Sequence, residues 1–362
     1  MLTFSQGTRS ARLRPAGAVP RPFIRDLIHG DLNRAFGASG FLPYDLRLAD
    51  TVRMAAILGH NIASGKVIKL HGGPVPQDYA LDFDGLSGQV LITDAASIQN
   101  IFDGGGSIEA WVKPATAGEN SDGRIIGKMS GGAATTPWAI GWRGDGGTNL
   151  RFWSAWSGAT AIWTDYTGGL PDAWRHVVLT YNADASGNSP ILYVNAAVRA
   201  DFSVDIAPSG TRTTDAGSNF RIGNSVDGSR THDGLIDEVR LYKGRILTVA
   251  EVTEHYAGVF ADETGLAAHY KMDEGTGTSV ADSSGNANTG TLSGAGATWS
   301  TTVHSPLDET VTWATDKIFH TVASPASHRY WRTIIESPAG TETMKKILLL
   351  NRALGAFEKG VA

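Results

Sequence analysis

Short alternations of apolar and polar residues, broken by glycine-rich turns, dominate the chain, while long helical patterns are few; this is the signature of many half-buried strands. The clearest stretch runs from Asp233 to Tyr256. Its spacing puts Leu235, Val239 and Leu241 on one face of a strand and Glu238 and Arg240 on the other, as a strand with one dry face requires. Asp237 then falls among the apolar set, where a carboxylate needs a hydrogen-bond or cationic partner from elsewhere in the fold. Thr248 and Glu251 have the spacing of a capping box, and Val249, Val252 and Tyr256 can share one side of the short helix that follows.

Apolar runs also mark both ends of the chain. Met54 to Leu58 and Lys66-Val-Ile-Lys-Leu70 suit strands, and neither has an apolar partner nearby in sequence. Near the other end, Tyr330, Arg332 and Ile334 alternate with Trp331, Thr333 and Ile335, and Lys346-Ile-Leu-Leu-Leu350 is a further strand candidate. Two half-cores separated by the whole middle predict one domain interrupted by another.

The middle resembles a known family. Ala80-Leu-Asp-Phe-Asp-Gly85, Ser107-Ile-Glu-Ala-Trp-Val-Lys-Pro114, Trp174-Arg-His-Val-Val-Leu-Thr-Tyr181, Leu192-Tyr-Val-Asn195, Phe220-Arg-Ile-Gly-Asn224 and the 233–256 stretch resemble, in order, the strand signatures of laminin-G-like, concanavalin A-like lectin jelly rolls. Gly265 to Asn286 resembles the segment that ordinarily opens such a domain, yet here it follows the closing helix, so the order reads as circularly permuted. A truncated second copy beginning at 265–299 is the competing reading. The outer segments, roughly 42–72 with its Leu-Gly-His-Asn and 310–357 with its Arg-Tyr-Trp-Arg, resemble the discoidin-like, galactose-binding-like β-sandwich of some tailed-phage virion proteins. The fold expected is therefore all-β, two β-sandwich domains with few short helices: 1–78 plus 300–362 forming a discontinuous discoidin-like sandwich, and 79–299 an inserted, permuted jelly roll.

Composition narrows the function. Cys 0 removes disulfides, thiolate nucleophiles and thiolate metal sites. A net charge of -5 offers no nucleic-acid footprint, although Arg9, Arg12, Arg14, Arg21 and Arg25 all precede the first acidic residue, Asp26, and read as a basic arm. No stretch is apolar for the roughly 18 or more residues a membrane span needs, and Met1-Leu-Thr-Phe-Ser-Gln-Gly lacks the basic start and apolar centre of a signal peptide. The expectation is a protein made in a host cytoplasm, with neither membrane insertion nor nucleic acid among its partners.

Candidate chemistry is sparse. Asp282-Ser-Ser-Gly-Asn286 is a turn dense in oxygen-bearing side chains; the matching turn helps hold calcium in several laminin-G-like domains, so the resemblance implies Asp282 and Asn286 as ligands, with Asp237 a further oxygen. Calcium wants about six to eight oxygens, and the alternative is an Asx turn in which Asp282 binds backbone N–H groups. Six of the 10 tryptophans fall between Trp138 and Trp174. Trp138, Ile140 and Trp142 read as core, whereas Trp153 and Trp156 cannot both face inward from one regular strand; Trp153, Trp156 and Trp163 are therefore the candidate sugar-stacking rings. Arg143-Gly-Asp145 reads as a hairpin turn rather than an adhesion tripeptide, and the scattered histidines show no zinc spacing.

An enzyme is not expected. Glucanases on this fold need two carboxylates about 5–10 Å apart across a cleft, carried as Glu-x-Asp-x-Glu, and that pattern is absent. The resemblance implies a non-catalytic tail or capsid decoration protein of a virion, present in many copies or as a homo-oligomer among other virion proteins, that displays a lectin-like module toward a host-surface glycan. A purely architectural virion protein and a bacterial carbohydrate-binding adhesin are the alternatives.

Overall fold

The computed structural model describes residues 34–35, 41–60, 68–73, 79–129, 137–144, 149–167, 172–256, 258, 260–304, 307–311, 317–335 and 343–350, with side chains over the described part of 79–304. The chain divides into two compact units, Met1–Gln77 with Ser305–Ala362, and Asp78–His304. The basic residues Arg9 to Arg25 lie outside the described residues.

In chain order, the first unit contributes β1 (Arg34–Ala35), β2 (Phe41–His60) and β3 (Ile68–Gly73). The second begins with β4 (Ala80–Asp84), β5 (Gln89–Ile92), β6 (Gly106–Pro114), β7 (Arg124–Gly127), β8 (Trp138–Arg143), β9 (Asn149–Ala155) and β10 (Thr160–Asp165). It continues with β11 (Arg175–Tyr181), β12 (Ile191–Val194), β13 (Ala197–Val198), β14 (Phe202–Ile206), β15 (Phe220–Ile222) and β16 (Asp233–Lys243). Helix α1 (Val249–Tyr256) precedes β17 (Leu266–Tyr270), β18 (Ser279–Val280), β19 (Gly290–Ser293) and β20 (Ala297–Ser300). The chain then returns to the first unit with β21 (Leu307–Val311), β22 (Lys317–Ile335) and β23 (Thr343–Leu350).

The first unit is one antiparallel sheet in the order β1-β23-β2-β22-β3-β21. Both ends of the sequence interleave in it: Met54 of β2 lies opposite Thr321 on one side and Leu350 on the other.

The second unit is a sandwich of two antiparallel sheets. One has the order β14-β10-β9-β8-β7-β15-β5-β19-β18; the other runs β13-β12-β11-β6-β16-β4-β20, with β17 also paired to β16. A single apolar core joins their facing surfaces, including Ile108, Val112, Trp138, Trp142, Phe152, Trp163, Leu179, Tyr181, Phe220 and Tyr270. Phe102 ties the layers together, its ring 5.4 Å from Trp138 and 5.7 Å from Tyr181. The segment after α1 completes the same two sheets, since β17 pairs with β16, β19 with β5 and β20 with β4.

Strand β16 departs from the expected alternation. β4 occupies one of its edges over Asp233–Ile236, and β17 takes the same edge over Val239–Tyr242. Where the two meet, Glu238 has φ 50° and the register against β6 shifts between Asp237 and Arg240. Such a bulge reverses the side-chain parity beyond it. Ile236, Val239 and Leu241 therefore enter the inter-sheet core, while Leu235 packs with Ala80 and Val303 on the opposite face. The expectation that Leu235 shares a face with Val239 and Leu241 is thus corrected. The capping box is present: the Thr248 N–H donates to Glu251 Oε2 (2.7 Å) and the Glu251 N–H to Thr248 Oγ1 (3.3 Å). Val252 and His255 are the buried residues of α1, whereas Val249 is 57% exposed and does not join them.

Candidate functional site

The tryptophan candidates are all buried: Trp153 is 7% exposed, Trp156 4% and Trp163 2%. Trp156 and Trp163 belong to the inter-sheet core. Trp153 does take the other face, as parity requires, but there it packs with Met129 and Ala139 and the Arg124 guanidinium lies 3.8 Å from its ring centre. None of the three offers an open ring to a sugar. The surrounding sequence could not show this, because the cover over Trp153 comes from a distant strand.

The acidic turn is satisfied by the protein itself. Asp282 Oδ1 accepts the His269 and Ser284 backbone N–H groups, and Oδ2 accepts the backbone and side-chain N–H groups of Asn288, all at 2.9–3.0 Å. Asn286 turns its Nδ2 to the carbonyls of Leu266 and Ala267. Asp237 is engaged by His304, whose Nδ1 donates to its Oδ2 at 2.8 Å. A carboxylate whose two oxygens each accept a pair of N–H groups is an Asx-type arrangement and has little left for a cation that wants about six to eight oxygens. These residues do not fit a calcium ion.

The densest polar constellation lies on the outer face of the eight-stranded sheet, beneath α1. Glu109 on β6 is 1% exposed. His255 Nδ1 from α1 donates to its Oε2 at 3.0 Å, His176 Nε2 from β11 stands 3.4 Å from the same oxygen, and Arg240 NH1 from β16 lies 3.6 Å from Oε1. Arg240 NH2 also donates to Glu238 Oε2 (2.7 Å), which accepts His269 Nε2 at 2.7 Å. Rings roof the group: Trp111 stacks on His304 (4.3 Å), His176 (5.2 Å) and Tyr256 (5.6 Å), and Arg240 lies 3.7 Å over Phe260. Four histidines distant in sequence, His176, His255, His269 and His304, are thus gathered on this face. Alternation is the signal that was present: Glu109 and Trp111 on β6, and His176 on the adjoining strand, share one face.

Burial works against the charge of Glu109, but the His176 and His255 hydrogen bonds and Arg240 outweigh it and hold the carboxyl well below the usual range. Glu238 is likewise opposed by burial, yet Arg240 and His269 hold it at about 2, against an ordinary 4.5. A carboxylate held ionised is a poor proton donor, so this network is suited to clamping α1 rather than to acid catalysis. A group with a depressed folded pKa gives stability that is present above its unfolded value and lost as pH falls through the folded one. The melting temperature is therefore expected to drop as pH is lowered from 4.5 toward 2, and Glu238→Gln should make that drop shallower; parallel curves for parent and variant would exclude the linkage.

A different surface is open. At the β14 edge of the nine-stranded sheet, Tyr166 is 53% exposed and its hydroxyl donates to Asp205 Oδ1 at 3.0 Å. Thr164 Oγ1 donates to Asp205 Oδ2 (2.6 Å), and Arg151 Nε donates to Thr164 Oγ1 (2.7 Å) with NH2 3.6 Å from Asp205. Beside them Val204 and Ile206 are 50% and 44% exposed on an edge strand that pairs only with β10 among the described residues. The exposed part of the edge is the Tyr166 ring and the Asp205 carboxylate, whose side chain is 22% exposed, held in place by the buried Thr164 and the 11% exposed Arg151 beneath; an aromatic face beside a carboxylate can meet a sugar ring and its hydroxyls.

Residues 84–253 match the model of a family described as the concanavalin A-like lectin/glucanases superfamily, of the laminin G type. The second unit has a concanavalin A-like lectin fold. No curated protein sequence matches the chain. Among solved structures, a Bacteroides ovatus protein assigned to carbohydrate binding is similar at 18% identity and TM-score 0.43, over 70% of this chain and 62% of its own. Domain 4 of an extracellular arabinanase from Geobacillus stearothermophilus, solved with arabinotriose, is similar at 20% identity and TM-score 0.35, over 57% of this chain and 98% of that domain. The enzymatically active domain of tailspike protein 2 from bacteriophage CBA120 is similar at 12% identity and TM-score 0.33, over 55% of this chain and 34% of its own.

Within the lectin-like unit, the edge at Tyr166 was not visible in sequence. Tyr166-Thr167 follows β10 as an ordinary turn, and Asp205 reaches it only because β14 pairs beside β10, with Asp165 opposite Phe202. The remaining isolated histidine, His232, is a core ring. Burial lowers its pKa to about 3, and its Nδ1 accepts the Trp142 indole N–H at 3.1 Å.

Proposed function

We propose that the chain is a non-catalytic structural protein of a tailed-phage virion, and that its lectin-like unit binds a host-surface glycan at the Tyr166 edge. The observation that carries the binding half is the half-exposed Tyr166 ring hydrogen-bonded to Asp205, where the candidate rings Trp153, Trp156 and Trp163 are all buried. The ionised, buried carboxylates beneath α1 support a role without catalysis. What supports the virion half is the likeness of the outer segments, with Leu58-Gly-His-Asn61 and Arg329-Tyr-Trp-Arg332, to discoidin-like virion domains. Several copies on one particle give avidity to a shallow site.

Glycan-array binding of the full chain is the direct test. Tyr166→Ala is expected to remove retention while changing stability by no more than about 0.5 kcal/mol, as for an exposed side chain. A variant that binds as the parent does would move the site elsewhere.

A second reading rests on Val204 and Ile206. An unpaired edge strand with outward apolar side chains can pair with a neighbouring chain, and the unit would then make protein contacts in the particle and bind no sugar. Failure of the parent to bind any glycan, with assembly lost in Val204→Lys, favours it.

A further inference from the structure

Lys128 is placed unlike any other lysine described. Its side chain is 0% exposed, and Nζ lies 2.8 Å from Asp94 Oδ1 and 3.2 Å from Asp215 Oδ1, whose own side chains are 11% and 1% exposed. Lys128 follows β7, Asp94 follows β5 and Asp215 precedes β15, the strand between those two in the sheet. The two carboxylates differ in their surroundings. Asp94 Oδ2 accepts Gln99 Nε2 (2.6 Å) and the Gly217 N–H (2.7 Å), whereas its Oδ1 is turned to the lysine. Asp215 is fixed by the Asn100 N–H on Oδ1 (2.7 Å) and the Trp138 indole N–H on Oδ2 (3.0 Å).

Three roles are laid out in that arrangement. An amine shielded from water stands against a carboxyl group, two N–H donors are aimed at the carboxyl oxygen that faces away from it, and a second carboxylate touches the same amine. Donors set where an oxyanion will form stabilise a tetrahedral intermediate, and a fixed nucleophile at contact distance replaces an encounter in solution. A buried ion pair also needs its spare lone pairs satisfied; here both donors fall on the Asp94 oxygen opposite the one that meets the lysine.

The geometry points to an intramolecular isopeptide bond between Lys128 Nζ and the Asp94 side-chain carbon, formed without cofactor and with Asp215 as the proton relay. The ammonium first passes a proton to Asp94 Oδ1 across their hydrogen bond, leaving an amine and a carboxylic acid. Nζ attacks the carbon, and the oxyanion develops on Oδ2 between Gln99 Nε2 and the Gly217 N–H. Asp215 takes a second proton from nitrogen and delivers it to Oδ1, which leaves as water while the carbonyl re-forms. One C–N bond is made, one C–O bond is broken, one water departs, and Asp215 ends as the carboxylate it began; nothing is oxidised or reduced. The product staples the loop after β5 to the end of β7 across β15.

Intact mass of the denatured full chain tests this. The parent is expected to be lighter than its sequence by one water, and proteolysis should yield one branched peptide joining the segments that hold residues 94 and 128. Lys128→Arg, which keeps the charge without a nucleophilic amine, and Asp94→Ala, which removes the acceptor carbon, should both show the full mass; Asp215→Asn should remain folded by circular dichroism and also show the full mass. A parent chain of full sequence mass overturns the proposal, and so does a lost water that maps to any other pair. Cross-linking that persists in Asp215→Asn overturns the relay assigned to Asp215.

Discussion

Glu109→Ala is expected to destabilise the lectin-like unit by about 3–5 kcal/mol, the cost of removing one partner from a buried ion network. The variant leaves Arg240, 4% exposed, with Glu238 alone, and leaves His176 and His255 without the oxygen they share. His255 is also one of the two buried residues by which α1 is seated, so the helix should loosen first. Urea denaturation followed by tryptophan fluorescence gives the magnitude, and hydrogen exchange over 249–256 gives the order of events. A loss under about 1 kcal/mol would place Glu109 with exposed ion pairs and undo its part as the clamp. Glu109→Gln, which keeps the shape and can still accept the His255 proton, should fall between parent and alanine.

The same residues show what could be read from the chain and what could not. Trp138, Ile140 and Trp142 were assignable to the core because three alternating apolar positions on one strand have a single economical placement, and all three are there. The motifs from Ala80 to Tyr256 were legible as a concanavalin A-like jelly roll because each pairs a strand pattern with a turn residue, and the matched stretch 84–253 covers most of them. Parity failed at Asp237-Glu238. A bulge forced where two strands share one edge of β16 is a property of pairing, and only one residue's φ betrays it.

Site residues were less legible still. Asp237 was marked as needing a partner, and His304 supplies it from 67 residues away; nothing local in either neighbourhood indicates the other. Glu109, His176, Arg240 and His255 come from β6, β11, β16 and α1, so their meeting depends on strand order in the sheet. Trp153 illustrates the opposite error. That Trp153 and Trp156 could not both face inward was inferred correctly, but outward from a sheet is not the same as exposed when Arg124 and Met129 cover the ring.

Trp163→Ala is the second large effect expected, and it separates the core aromatic of β10 from the surface tyrosine that follows the strand. Trp163 is 2% exposed, 5.8 Å from Phe152 and 5.6 Å from Tyr181 between ring centres. Truncating a buried tryptophan leaves a cavity as well as losing transfer energy, a penalty of about 3–5 kcal/mol. Its indole N–H makes no hydrogen bond among the described residues, so the ring contributes by packing alone. Trp163→Phe should accordingly cost far less, under about 1.5 kcal/mol, because it keeps an aromatic ring and abandons an unpaired donor. Three residues along the chain, Tyr166→Ala should leave the melting temperature in place. If Trp163→Ala instead melts like the parent and loses glycan retention, the ring is a sugar platform after all and the inward placement of β10's aromatic face is wrong; if it melts early and the refolded fraction still binds, the division between a tryptophan core and a tyrosine edge stands.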